Sequence, residues 1–78
     1  MDEDAARALI ADHLAAAPET VTDEATLLSL GADSLDLVTL TMELEDRFDV
    51  DISDEQATDC KRVGDVLSVL RAALLQKA

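Results

Sequence analysis

At 78 residues the chain is long enough for one small domain, residues 1–78, with a modest core. Its 18 acids against 6 bases leave a formal charge of −12, which excludes nucleic acid and anionic membranes as partners and favours basic protein surfaces. One cysteine (Cys60) and one histidine (His13) exclude an intrachain disulfide and a zinc cluster, and with a single Phe and no Trp or Tyr the core has to be aliphatic.

The first segment, about Glu3 to Ala16, carries Ala6, Leu9, Ile10 and Leu14 at helical spacing, and Pro18 is expected to end it. Acids stand here where a secretory signal needs bases, and Asp12 and His13 interrupt any apolar run, so no targeting segment is expected. No run is long enough to cross a membrane, and with one cysteine a cytoplasmic chain is the expectation. His13 reads as a solvated helix residue, with no second group placed to make it catalytic.

A long connection follows, PETVTDEATLLSLGAD, longer than is usual between helices of a bundle. Its apolar residues Val21, Leu27, Leu28 and Leu30 are expected to tuck back onto the core, and Gly31 allows a sharp turn before the next helix.

The second helix is expected over about Ser34 to Phe48, capped by Asp33 or Ser34, with Asp36 suiting its positive end. Leu37, Leu40, Leu44 and Phe48 recur by three and four and form one buried stripe. Leu35, Val38 and Met42 form a second stripe, well over about 100° around the helix. A bundle of this size cannot bury both faces, so an apolar strip running beside Glu45, Asp46 and Asp49 reads as a docking face. The alternative is that Leu35 and Val38 pack under the long loop.

Then comes FDVDISDEQATD, with one helical turn at about Asp54 to Thr58 capped by Ser53 or Asp54, and Ile52 anchoring the loop. The acids of this stretch lack the glycine and the terminal glutamate spacing of an EF-hand. The last helix covers about Val63 to Gln76, with Val63, Val66, Leu67, Leu70 and Leu74 inward and a weak cap, since Lys61 and Arg62 stand where a hydroxyl or acid is preferred. Cys60 reads as a small core or loop residue. The fold class is all-α: a small bundle of three main helices plus one short helix.

Ser34 lies at the start of the docking helix, where free backbone N–H groups and the positive dipole end favour an attached phosphate. The run Leu30-Gly31-Ala32-Asp33-Ser34-Leu35-Asp36 resembles the attachment motif of acyl carrier proteins, and the likeness extends over nearly the whole chain, through MELEDRFDVDI, DEQA and the last amphipathic helix. The resemblance implies that Ser34 accepts 4′-phosphopantetheine from coenzyme A, donated by a separate phosphopantetheinyl transferase. It implies a monomeric carrier, not an enzyme, that holds acyl groups as thioesters on the arm. It also implies that Asp33, Asp36, Glu45 and Asp46 meet basic patches on acyl-transferring, chain-elongating or tailoring enzymes, with Leu35, Val38 and Met42 as the apolar contacts between those acids.

The chain departs from the pattern of primary fatty acid carriers at five places. Thr39 stands for an acid, Ser29 for an acidic pair, Ser53 for a Pro, Arg47 interrupts an acidic run, and Cys60 replaces an aliphatic residue near the acyl cavity. These leave room for a carrier of polyketide or other specialised acyl synthesis. Two further readings are an aminoacyl or peptidyl carrier, and an acidic helix-docking adaptor with no prosthetic group.

Overall fold

The computed structural model describes residues 2–77, and the side chains of 3–77. Among the described residues four α-helices form: α1 (Asp2–His13), α2 (Ser34–Phe48), the short α3 (Asp54–Asp59) and α4 (Val63–Lys77). A 3-10 turn, Pro18–Thr20, lies in the long connection after α1. The expected all-α bundle of three main helices and one short one is the architecture found.

α1 stops at His13, three residues before the expected end and well before Pro18. Ala15 takes a left-handed backbone (φ +53°). The Ala16 N–H then reaches back to the Ala11 carbonyl at 2.9 Å and the Ala15 N–H to Asp12 at 3.3 Å, a Schellman closure made without glycine. Pro18 only opens the 3-10 turn that follows.

The core is aliphatic. Ile10, Leu40, Leu44, Val63, Val66, Leu67 and Leu70 are its largest fully buried side chains, each stabilising the fold by roughly 1.5–3 kcal/mol through apolar transfer. α2 contributes Leu37, Leu40 and Leu44 as expected, with Phe48 half-buried beside them. It also buries a polar residue, Thr41, whose hydroxyl donates back to the carbonyls of Val38 (2.8 Å) and Leu37 (3.1 Å) and so carries no unmet hydrogen bond. α4 buries Val63, Val66, Leu67 and Leu70, with Leu74 half-buried.

The long connection is sewn to the segment between α3 and α4. Leu27 N–H donates to the Lys61 carbonyl (2.9 Å), Val63 N–H to Ala25 (3.0 Å) and Gly64 N–H to Asp23 (3.0 Å). The Arg62 guanidinium adds a bond to the Glu24 carbonyl at 2.7 Å. A Cβ on Gly64 would lie 3.1 Å from the Asp23 carbonyl oxygen, so this seam draws the two backbones to within glycine distance. Val21 and Leu27 turn into the core from this connection and Leu30 is half-buried, but Leu28 is 80% exposed, against expectation. The reason is the tight turn over 27–32, where Gly31 has φ +92° and the Ala32 N–H closes onto the Leu27 carbonyl at 3.0 Å. Leu27 and Ala32 take the core positions of that turn, and Leu28 is left on its outer side.

α4 is better started than its local residues suggest. The Asp65 carboxylate, in the first turn, accepts the backbone N–H groups of Lys61 and Arg62, both at 3.0 Å. These two bonds hold the Asp65 carboxyl below the usual carboxylate range, the Arg62 and Lys61 charges adding to the effect. α3 opens on Ser53, whose hydroxyl accepts the Gln56 N–H at 3.1 Å while the Gln56 side chain accepts the Ser53 N–H. Among the described residues no helix is long and apolar enough to cross a membrane.

Candidate functional site at the start of α2

Asp33, not Ser34, caps α2. Its carboxylate accepts the Asp36 N–H at 2.9 Å while the Asp36 carboxylate accepts the Asp33 N–H at 3.1 Å. Two acids therefore close a capping box around the serine. Ser34 becomes the first residue of the helix and is exposed. Its hydroxyl enters no hydrogen bond among the described residues, and the N–H groups of Ser34 and Leu35 remain unpaired at the helix end. Such an end offers amide donors and a positive dipole to an anion.

Ser34 lines an open depression of about 390 Å³ together with Leu27, Leu28, Ala32, Leu37, Cys60 and Lys61. The seam described above forms one of its walls, so residues 27 and 61 reach the serine only through tertiary folding. A larger depression, about 770 Å³, runs along α1 to Arg47 and holds none of the expected attachment or docking residues.

The expected docking face is largely presented to solvent. Leu35 is 73% exposed and Met42 60%, so the alternative in which Leu35 packs under the loop is excluded; Val38 is half-buried. Asp46 is exposed on the same helix. Glu45 is half-buried and already engaged, its Oε2 accepting the Ile52 N–H at 3.1 Å. His13 is not solvated as expected: its side chain is 16% exposed, with Nδ1 3.5 Å from Glu43 Oε2 across the α1–α2 contact.

Cys60 is buried in the core, and its Sγ lies 3.2 Å from the Gln56 carbonyl. Burial, with the charges of Asp65 and Asp59, pushes its thiol up to about 11. Burial therefore disfavours the reactive thiolate form of Cys60. Two features of this site escaped the sequence reading. Leu28 carried no sign of exposure in its own spacing, and Lys61 was visible only as a poor helix cap.

Residues 4–70 match the family described as the phosphopantetheine attachment site. An acyl carrier protein of Amoebophilus asiaticus is 49% identical over 70 residues, covering 88% of each chain. The chain belongs to the acyl carrier protein family. A second relative, the acyl carrier protein of Phenylobacterium zucineum, is 42% identical over 69 residues and 87% of each chain. In the solved structures, an acyl carrier protein from Thermotoga maritima superposes with TM-score 0.77 at 30% identity, over 100% of this chain and 96% of that one. A hexanoyl acyl carrier protein from the actinorhodin polyketide synthase of Streptomyces coelicolor also superposes with TM-score 0.77, at 25% identity, over 94% and 90%.

Acyl carrier proteins are carriers and not catalysts, and their prosthetic group is phosphopantetheine. When bound, that group supplies a terminal thiol for thioester formation. The start of α2 fits such a group: an exposed hydroxyl with no competing bond, two free amides beside it, and an apolar depression alongside. Carriers of this family meet a phosphopantetheinyl transferase and acyl-handling enzymes.

Proposed function

We propose that this chain is a single carrier domain, residues 1–78, whose Ser34 holds the 4′-phosphopantetheine arm received from coenzyme A. The observation that carries this reading is the freed Ser34 hydroxyl. Because Asp33 takes over the capping role, nothing in the fold requires the Ser34 Oγ, and it remains available to attack a phosphoryl group. The acyl intermediates ride on the arm as thioesters. They are presented to soluble enzymes of fatty acid or, by preference, polyketide and other specialised acyl synthesis in the cytoplasm. That preference rests on Ser29, Thr39 and Arg47, which break the acidic pattern of primary fatty acid carriers. The chain acts as a monomer, docking through Leu35, Val38 and Met42 with Asp33, Asp36 and Asp46 around them.

The test is intact mass after incubation with coenzyme A, magnesium and a broad-specificity phosphopantetheinyl transferase. Wild type should gain one phosphopantetheine and Ser34→Ala none, with the fold intact in both. A wild-type chain that stays unmodified beside a loaded control carrier would overturn the reading in favour of an acidic adaptor. Loading of the resulting holo chain by an adenylating enzyme but not by a malonyl transferase would move it to aminoacyl or peptidyl transfer.

A further inference from the structure

We propose that Lys61 is a positioning residue for the phosphate of the prosthetic arm, the cation that holds it beside the start of α2. This rests on the reading that Ser34 carries the arm.

The charge around Ser34 poses the problem. Asp33 and Asp36 are locked on either side of it by their reciprocal capping bonds, in a chain of net charge −12. A phosphodiester on the Ser34 Oγ adds a further negative charge next to two carboxylates that cannot swing away without uncapping the helix. The two free amides of Ser34 and Leu35 offset part of this repulsion. A nearby cation would offset more.

Among the described residues Lys61 is the one base lining the depression that Ser34 lines. Its backbone is fixed at both polar groups: the carbonyl accepts the Leu27 N–H at 2.9 Å, and the N–H donates to Asp65 Oδ2 at 3.0 Å. The main chain of Lys61 is therefore fixed on the wall, and its charge acts on the Asp65 carboxylate through space without an ion pair among the described residues. Among the described residues, Arg7 pairs with Asp23, Arg71 with Glu3 and Lys77 with Asp49, and Arg62 donates to a backbone carbonyl. Among the described residues the Lys61 ammonium has no carboxylate within 4.0 Å. Arg47 also lacks an ion pair among the described residues, but it lines the larger depression along α1 with Asp12 and not the one beside Ser34. A lysine anchored through its main chain, without an ion pair among the described residues, and lining the same depression as Ser34 has the chemistry to receive a phosphate as a point charge.

The chain has two lysines, Lys61 and Lys77, which makes the test direct. Protein labelled with 13C-lysine is loaded, loading is verified by intact mass, and the Cε–Hε signals are compared before and after at neutral pH. The Lys61 signal should shift on loading and the Lys77 signal should not. The shift should shrink as salt rises from about 0.05 M to about 0.5 M, because screening shortens the reach of the pair. In the loaded chain the 31P line should narrow in Lys61→Gln, keep its width in Lys61→Arg, and be unaffected by Lys77→Gln. A loaded chain in which Lys61 and Lys77 respond alike, or in which Lys61→Gln leaves the 31P line unchanged, overturns the assignment while the Ser34 reading stands. A wild-type chain that gains no mass overturns both.

Discussion

The Glu45 carboxylate accepts the backbone N–H of Ile52 at 3.1 Å, so a side chain expected to face partners also fastens the segment between α2 and α3. Asp46, its neighbour, is exposed and makes no such bond among the described residues. The two acids are adjacent in sequence but do different work.

Reversing each charge should separate those tasks. Glu45→Lys should destabilise the fold by about 1–2 kcal/mol, because the half-buried Ile52 N–H loses its acceptor. Asp46→Lys should leave stability within about 0.5 kcal/mol of wild type and slow association with a basic partner enzyme, with the dissociation rate little changed. Thermal melts paired with stopped-flow binding check both. An Asp46→Lys chain whose association rate and salt dependence match wild type would move the docking face elsewhere.

The end of α1 is strained in a way that is easily relieved. Ala15 holds φ +53°, a conformation that costs an L-residue about 1–2 kcal/mol. Ala15→Gly removes that cost but gives the unfolded chain about 0.4–1 kcal/mol of added freedom. The balance is a gain of about 0.5 kcal/mol, or a rise in Tm of about 2–4 °C for a domain of this size. A calorimetric melt showing a lower Tm would mean that the Ala15 methyl contributes packing that outweighs its backbone strain.

Asp65 should set part of the acid limit of the fold. Its carboxyl is held down by the N–H groups of Arg62 and Lys61, so the folded value lies below the ordinary 3.8. The contribution is therefore fully present above pH 3.8 and is lost as the pH falls through the lower folded value. Asp65→Ala should cost about 1 kcal/mol at pH 7, as for the loss of a helix cap, and the difference between variant and wild type should close at low pH. Urea melts across that range measure it. A gap that persists undiminished would show that the carboxylate's charge is not what matters.

Cys60 should set a corresponding limit in alkali. Burial raises its thiol from 9.0 to about 11, so the folded state keeps a proton that the unfolded state gives up first. Its contribution is present below pH 9.0 and fades as the pH rises towards about 11. Alkylation by iodoacetamide at pH 8 should be much slower in the folded chain than in urea. Cys60→Val should flatten the loss of stability between those two pH values. Equal alkylation rates in the folded and unfolded chain would place Cys60 in reach of solvent.

Local chemistry was enough to read the helices. α2 declares itself because Leu37, Leu40 and Leu44 recur at helical spacing and Asp33 and Asp36 suit its first turn. The run over residues 30–36 that resembles an attachment motif is contiguous, so it is visible in one dimension, and the second stripe of Leu35, Val38 and Met42 followed from counting how much apolar surface a 78-residue bundle can hide. What the sequence could not decide depends on residues far apart along the chain or on competition between neighbours. Whether Asp33 or Ser34 caps α2 turned on which side chain reached the Asp36 amide, and that choice is what leaves the serine hydroxyl free. Leu28 was pushed outward because Leu27 and Ala32 claimed the inner side of a turn closed by a backbone bond between them. Lys61 came to share a depression with Ser34 because backbone hydrogen bonds sew residues 23–27 to residues 61–64, a pairing invisible to periodicity since it is made by main-chain atoms that every sequence possesses.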